Sequence, residues 1–172
     1  MKINSIETIK DLKLIVPDIF YDFRGEYAET YNNKDWNLGI EFIQDDISVS
    51  SRNVLRGLHG DAVTWKLVQC LHGSLYLVVV DCRKDSYTYS KWYGYTLNDK
   101  NRHQILIPPG CANGYLCLSD SCIFHYKQST YYQGADKQFT LRWNAVKAVF
   151  WPISNPILSS RDSNGASMGE LS

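Results

Sequence analysis

Short stretches of β-forming residues, each closed off by a turn signal, recur along this chain and constrain its fold more than any other feature. LKLIVPDIF, EYAETY, GIEFIQDDISVS, KLVQCLHG, SLYLVVVDC, KWYGYTL, HQILIPPG, NGYLCLS, CIFHYKQS and FTLRW are rich in Val, Ile, Tyr and Trp, which pack well on a pleated surface. HGS, RKDS, NDKN, PPG and SDS separate them, at roughly the 8–12-residue spacing of an all-β sandwich or barrel. Helix candidates are few and short, the best at residues 6–11. No repeat and no linker divides the 172 residues. The expectation is one domain over 1–172, folded as a two-sheet jelly roll or a closed barrel. The polar end, SNPILSSRDSNGASMGELS, reads as an irregular tail, frayed or packed over the body.

Charge excludes some functions. Eighteen basic residues balance eighteen acidic ones, so neither nucleic acid nor an anionic membrane is an expected partner. The start lacks the apolar run and small-residue cleavage site of a signal peptide. No apolar stretch reaches the about 18 residues of a membrane span, and a cytoplasmic location is expected. The cysteines (Cys70, Cys82, Cys111, Cys117 and Cys122) are odd in number and lie mostly in apolar runs. They fit reduced core thiols better than a disulfide framework.

One segment resists the simple pattern. VLRGLHGDAVTWKLVQC (54–70) is patterned like buried sheet, yet it carries Arg56, His59 and Lys66. Each is costly to bury without a partner. Strand alternation puts Arg56 and His59 on opposite faces, and a bend at the glycines would bring them to one mouth. Lys66 alternates with Val68 and Cys70 and so shares a core-facing side with them. These groups either face water or line a pocket for an anionic, proton-releasing ligand.

A metal pocket is disfavoured. A jelly-roll metal site wants two His one residue apart and another after the PxG turn, but the chain reads His59-Gly60-Asp61 and Pro108-Pro109-Gly110-Cys111-Ala112-Asn113. His72, His103 and His125 are scattered. Metal-free acid–base chemistry fits better: a neutral His removes a proton and a Tyr returns one. A Lys stabilises the developing oxyanion, and a carboxylate sets the His tautomer. Taken singly, His59 reads as structural, Lys66 as solvated, Tyr126 as a core aromatic and Asp162 as a turn residue.

VLRGLH, the following WKLV, the IPPGxAxG turn and YKxxxYY together resemble the dTDP-4-dehydrorhamnose 3,5-epimerase family, and the similarity runs from IVPDIFYDFRGEYAETY to WPISNPILSSRD. The resemblance implies a cupin-type β jelly roll that epimerises a nucleotide-linked 4-keto-6-deoxy sugar without cofactor or metal. It places the general base on His59, its carboxylate partner on Asp162, the opposing acid on Tyr126 and the enolate-stabilising cation on Lys66. By the same resemblance Arg56 and Tyr132 contact sugar or diphosphate, Arg24, Glu29 and Gln44 hold the nucleotide, and Phe20 lies near the base. It also implies a homodimer that exchanges N-terminal strands.

The chain departs from the usual family pattern around the sugar. Asn113 stands where the family commonly has a substrate-contacting His, and Gly60-Asp61 replace an aromatic and a Gln. The form RGLHGDxxTWKLV resembles members acting on GDP-linked 4-keto heptoses of bacterial capsule pathways, with Gly60 leaving room for a longer sugar. The expected activity is therefore epimerisation at C3, C5 or both of such a GDP-heptose. The alternatives are a dTDP-4-keto-6-deoxyglucose 3,5-epimerase, a 3-epimerase or 3,4-ketoisomerase on the same scaffold, and a non-catalytic sugar-nucleotide-binding jelly roll.

Overall fold

A computed structural model describes residues 1–146 and 149–171. Its strands are β1 (Lys2–Ser5), β2 (Lys13–Val16), β3 (Ile19–Asp22), β4 (Gly25–Ala28), β5 (Gln44–Ser51), β6 (Leu55–Gly60) and β7 (Lys66–His72). There follow β8 (Ser74–Asp81), β9 (Trp92–Asn98), β10 (Gln104–Ile107), β11 (Cys111–Cys117), β12 (Ser121–Gln128) and β13 (Phe139–Thr140). Six strands form one antiparallel sheet in the order β1-β2-β10-β7-β12-β5, and five form the other in the order β13-β6-β11-β8-β9. The two face each other as a cupin-like jelly roll, and β3–β4 is a separate hairpin.

The apolar runs of the sequence follow from burial on both faces of a sheet. In β8, Leu75, Leu77 and Val79 pack between the sheets with Val68, Cys70, Ile105 and Ile107. Val78 and Val80 point the other way, into a second cluster with Leu55, Leu58 and Leu116. With both faces covered, SLYLVVVD needs no polar alternation. The cover over the second cluster is the C-terminal region: Trp143, Trp151, Ile153 and Leu158 pack there. Each fully buried Leu or Val contributes about 1.5–3 kcal/mol, enough to hold a segment with little regular structure. The tail is thus packed, not frayed. A third cluster, of Ile15, Leu67 and Leu106 with Trp36, covers the outside of the six-stranded sheet.

Two local expectations fail. Residues 6–11 form turns, closed by Leu12 N–H to Ile9 O and Ile9 N–H to Ile6 O, and no helix. Helical turns occur instead at α1 (Asn33–Trp36) and α2 (Ser160–Ser163), with a 3-10 turn at Ala135–Lys137. Strand β1 was not expected, since Lys2–Ser5 is short, polar and exposed; it is held by pairing with β2. Four of the five free cysteines are buried, and burial pushes the Cys70 thiol up to about 12.

Candidate active site

Between the sheets the inward stripe changes character along the strands. At one end it is apolar; at the other, Lys66, Tyr126, Gln128, Asp46, Ser48, Arg56, His59 and Asn113 face a cavity of about 670 Å³. Lys66 follows the alternation: it shares a face with Val68 and Cys70, is 7% exposed, and ends up in the cavity because β7 begins there.

Strand β6 brings Arg56 and His59 to the same side by a bulge. Asn113 of β11 pairs with His59 and Tyr115 with Arg56, so three residue steps on β6 match two on β11. The extra residue resets the alternation: Leu55 and Leu58 face the second core while Arg56 and His59 face the cavity. Gly57 makes this fit. Its φ is +116°, and a Cβ there would lie 2.6 Å from Gly114 Cα and 2.7 Å from Asn113 O.

Asp162 reaches His59 from the tail. Residues beyond Trp151 run beside the start of β6, with Leu55 N–H donating to Ile157 O, and Ser159 then caps α2 by accepting from Asp162 N–H at 3.1 Å. This aims the Asp162 carboxylate at His59, with Nε2 to Oδ1 at 2.6 Å. Asp162 is 3% exposed. Desolvation raises its pKa, but hydrogen bonds from His59, Ser159 and the Gly57 backbone outweigh it, and the carboxyl is held below its ordinary value. An ionised carboxylate only accepts, so Nε2 carries the proton and Nδ1 keeps its lone pair. In the neutral imidazole this arrangement leaves Nδ1 open to accept a proton, the geometry that base chemistry requires.

Tyr126 enters from β12, in the sheet opposite His59. Burial first, then the charge of Asp46, pushes its pKa up to about 12, so it stays a proton donor through neutral pH. Lys66 Nζ lies 3.4 Å from Asn113 Oδ1. Desolvation is the main cause of its lowered pKa, and Arg161 adds to it while Asp61 opposes. Arg56 is tied to β5 through Ser50 Oγ at 2.9 Å and Val49 O at 3.2 Å. Arg161 also lines the cavity, anchored to Thr140 Oγ1 at 2.8 Å.

Seven of the expected site residues therefore meet at the cavity: His59, Asp162, Tyr126, Lys66, Arg56, Asn113 and Tyr132. Gln44 stands just behind it, accepting from Tyr132 N–H at 2.9 Å. Phe20, Arg24 and Glu29 are not brought there within this chain. Phe20 and Arg24 belong to the β3–β4 hairpin and line its own open cleft; Phe20 is 62% exposed and Arg24 pairs with Asp22 at 2.6 Å. Glu29 accepts from Trp36 Nε1–H and Asn32 Nδ2–H. The space for a longer sugar at Gly60 is filled: a Cβ there would lie 2.4 Å from the Phe139 ring and 2.5 Å from Cys111 O. Asp46, Gln128 and Arg161 were missed by sequence reasoning. Among the described residues, no three His, Cys, Asp or Glu side chains converge as metal ligands, and no helix is long and apolar enough to cross a membrane.

Comparison with known proteins gives the family and the fold. The family model for dTDP-4-dehydrorhamnose 3,5-epimerase matches residues 7–170. An Escherichia coli dTDP-4-dehydrorhamnose 3,5-epimerase is 40% identical over 98% of this chain and 96% of its own. The crystal structure of the Bacillus anthracis enzyme, with TDP and pyrophosphate bound, superposes with a TM-score of 0.90 at 38% identity, covering 96% of this chain and 98% of that one. The Legionella pneumophila enzyme, in complex with dTDP-4-keto-L-rhamnose, gives 0.92 at 32% identity, covering 99% and 94%. The relatives are dTDP-sugar epimerases and lend no support to a GDP-heptose. The protein belongs to the dTDP-4-dehydrorhamnose 3,5-epimerase family and is an isomerase, a sugar-nucleotide 3,5-epimerase.

Proposed function

We propose that the substrate is dTDP-4-keto-6-deoxyglucose and that both C3 and C5 are inverted by His59 and Tyr126. The dTDP-sugar relatives support the substrate, and the observation that carries the inversion is the approach of the two groups from opposite sheets into one cavity. A base and an acid on opposite faces of a flat enolate invert a centre instead of returning the proton to the side it left.

The C4 ketone acidifies the neighbouring C–H bonds. His59 Nδ1 takes a proton from C3 or C5, and the C–H electron pair moves into an enolate whose oxygen is the former ketone. The Lys66 ammonium stabilises that oxyanion in a dry site, where a fixed charge is worth more than in water. Asp162 stabilises the imidazolium. The Tyr126 hydroxyl then delivers a proton to the opposite face, and solvent exchange resets the imidazolium and the tyrosinate. Arg56 and Tyr132 hold the sugar or diphosphate, and Asn113 accepts from Lys66 to fix its ammonium.

Phe20, Arg24 and Glu29 serve the nucleotide in a homodimer, where the exposed hairpin of one copy reaches the cavity of the other. The bare aromatic side chains of that hairpin, Phe23 at 98% and Tyr27 at 68% exposed, support this role. The activity is cytoplasmic, where nucleotide sugars are made.

A heptose linked to GDP keeps one argument, the similarity of RGLHGDxxTWKLV, and has lost the volume argument at Gly60. Incubation in deuterium oxide with dTDP-4-keto-6-deoxyglucose, and separately with the GDP-linked 4-keto-6-deoxy heptose, decides between them. Two deuterons, at C3 and C5 of the dTDP sugar, are expected. Exchange confined to the GDP sugar would reverse the substrate assignment, and one deuteron at C3 alone would make this a single-site epimerase.

A further inference from the structure

The cavity is built for an anionic substrate, with Arg56, Lys66 and Arg161 on its walls, yet it also holds a carboxylate that the mechanism does not use. Asp46 lies on β5 directly opposite Tyr126 on β12. Opposed residues of an antiparallel pair project to the same face with Cβ atoms about 4.5–5.5 Å apart, and both line the cavity.

Asp46 is held there deliberately. Its Oδ2 accepts from Gln44 Nε2 at 2.7 Å and from Gln128 Nε2 at 2.7 Å. Gln128 is 3% exposed, and Gln44 is fixed in turn by the Tyr132 N–H. Two carboxamides are spent on one oxygen, and Oδ1 takes no hydrogen bond from any described residue. The Arg56 guanidinium donates to Ser50 Oγ and Val49 O and forms no ion pair with Asp46. An anchored carboxylate with one free oxygen, beside the proton donor of an epimerase, accepts from hydroxyl groups and repels phosphate.

We propose that Asp46 is a specificity-determining residue whose free oxygen accepts a hydrogen bond from a hydroxyl of the substrate sugar, beside the carbon that Tyr126 reprotonates. This rests on the proposed function. The contact orients the ring against Tyr126. The groups facing Tyr126 are Asp46 on β5, Arg56 on β6, Tyr115 on β11 and Tyr132 beyond β12, of which Asp46 is the carboxylate.

The test is Asp46→Asn, which keeps an oxygen for Gln44 and Gln128 but turns the free acceptor into a donor. Calorimetry with dTDP-glucose and GDP-mannose, each against the bare nucleotide dTDP or GDP, reads the contact without turnover. Losing a hydrogen bond to a charged group should weaken the sugar nucleotide about 10- to 100-fold and leave the bare nucleotide unchanged or tighter. In turnover, KM should rise, and the basic limb of the pH profile should move to lower pH once the neighbouring negative charge is gone. Equal loss for sugar nucleotide and bare nucleotide, or no loss with an unmoved basic limb, would overturn the assignment while leaving the epimerase reading intact. Failure of the unaltered protein to bind any of the four ligands would overturn both.

Discussion

Asp162→Asn perturbs the dyad with little change of shape, so its effect reads the charge and the hydrogen bonding of the pair. In the native protein the 2.6 Å contact fixes the proton on Nε2 of His59 and leaves Nδ1 as the base. Asparagine offers an N–H2 as well as an oxygen, and the N–H2 favours the reversed tautomer, with Nδ1 protonated and unable to take a proton. The imidazolium formed in the reaction also loses a charge-assisted hydrogen bond, worth about 1.5–3 kcal/mol, or roughly 10- to 100-fold in rate. With the tautomer loss added, kcat should fall by about 10²–10⁴, read as deuterium entry at C3 and C5 by NMR. KM should stay within a few fold, because Asp162 touches His59 and not the sugar. Full-speed exchange by Asp162→Asn would mean that the dyad does not make the base.

Tyr126→Phe should suppress inversion yet leave deuterium exchange, because His59 still removes and returns a proton on its own face; loss of both together would deny Tyr126 its separate role. Lys66→Met should lower the exchange rate by about 10²–10³ and raise the melting temperature. The sign follows from the lowered pKa of Lys66: the unfolded chain binds the proton more tightly, so this group favours unfolding at neutral pH, and its contribution fades as pH rises. A melting temperature that drops in Lys66→Met would refute the burial penalty. Gly57→Ala should destabilise by more than about 1 kcal/mol in urea unfolding, since its Cβ would lie 2.6 Å from Gly114 Cα; an unchanged midpoint would mean that the β6–β11 approach is soft.

The sequence makes the two-sheet architecture legible because β8, β7 and β10 bury both faces and so read as apolar runs. It also makes Lys66 conspicuous, since a charge among core-facing residues has no bland home there. The rest is hidden for physical reasons. On β5 the expected sidedness is inverted: Ile47 and Val49 are 62% and 58% exposed, while Asp46 and Ser48 face the cavity. A polar interior makes the inner stripe look like an outer one. Asp162 sits 103 residues from His59, in a segment with no periodicity, and only the family resemblance singled it out. The inward turn of Arg56 together with His59 depends on a bulge whose one sequence signal is Gly57. Gly60 looked like empty space because nothing in the chain announces that Phe139, brought alongside by β13, fills it.

The most direct test of the account is His59→Ala assayed for both binding and proton exchange. Deuterium entry into the sugar of dTDP-4-keto-6-deoxyglucose should fall by about 10²–10⁴, while dTDP binds as tightly as before. Undiminished exchange would contradict the account at its centre, because it would mean that His59 does not take the proton.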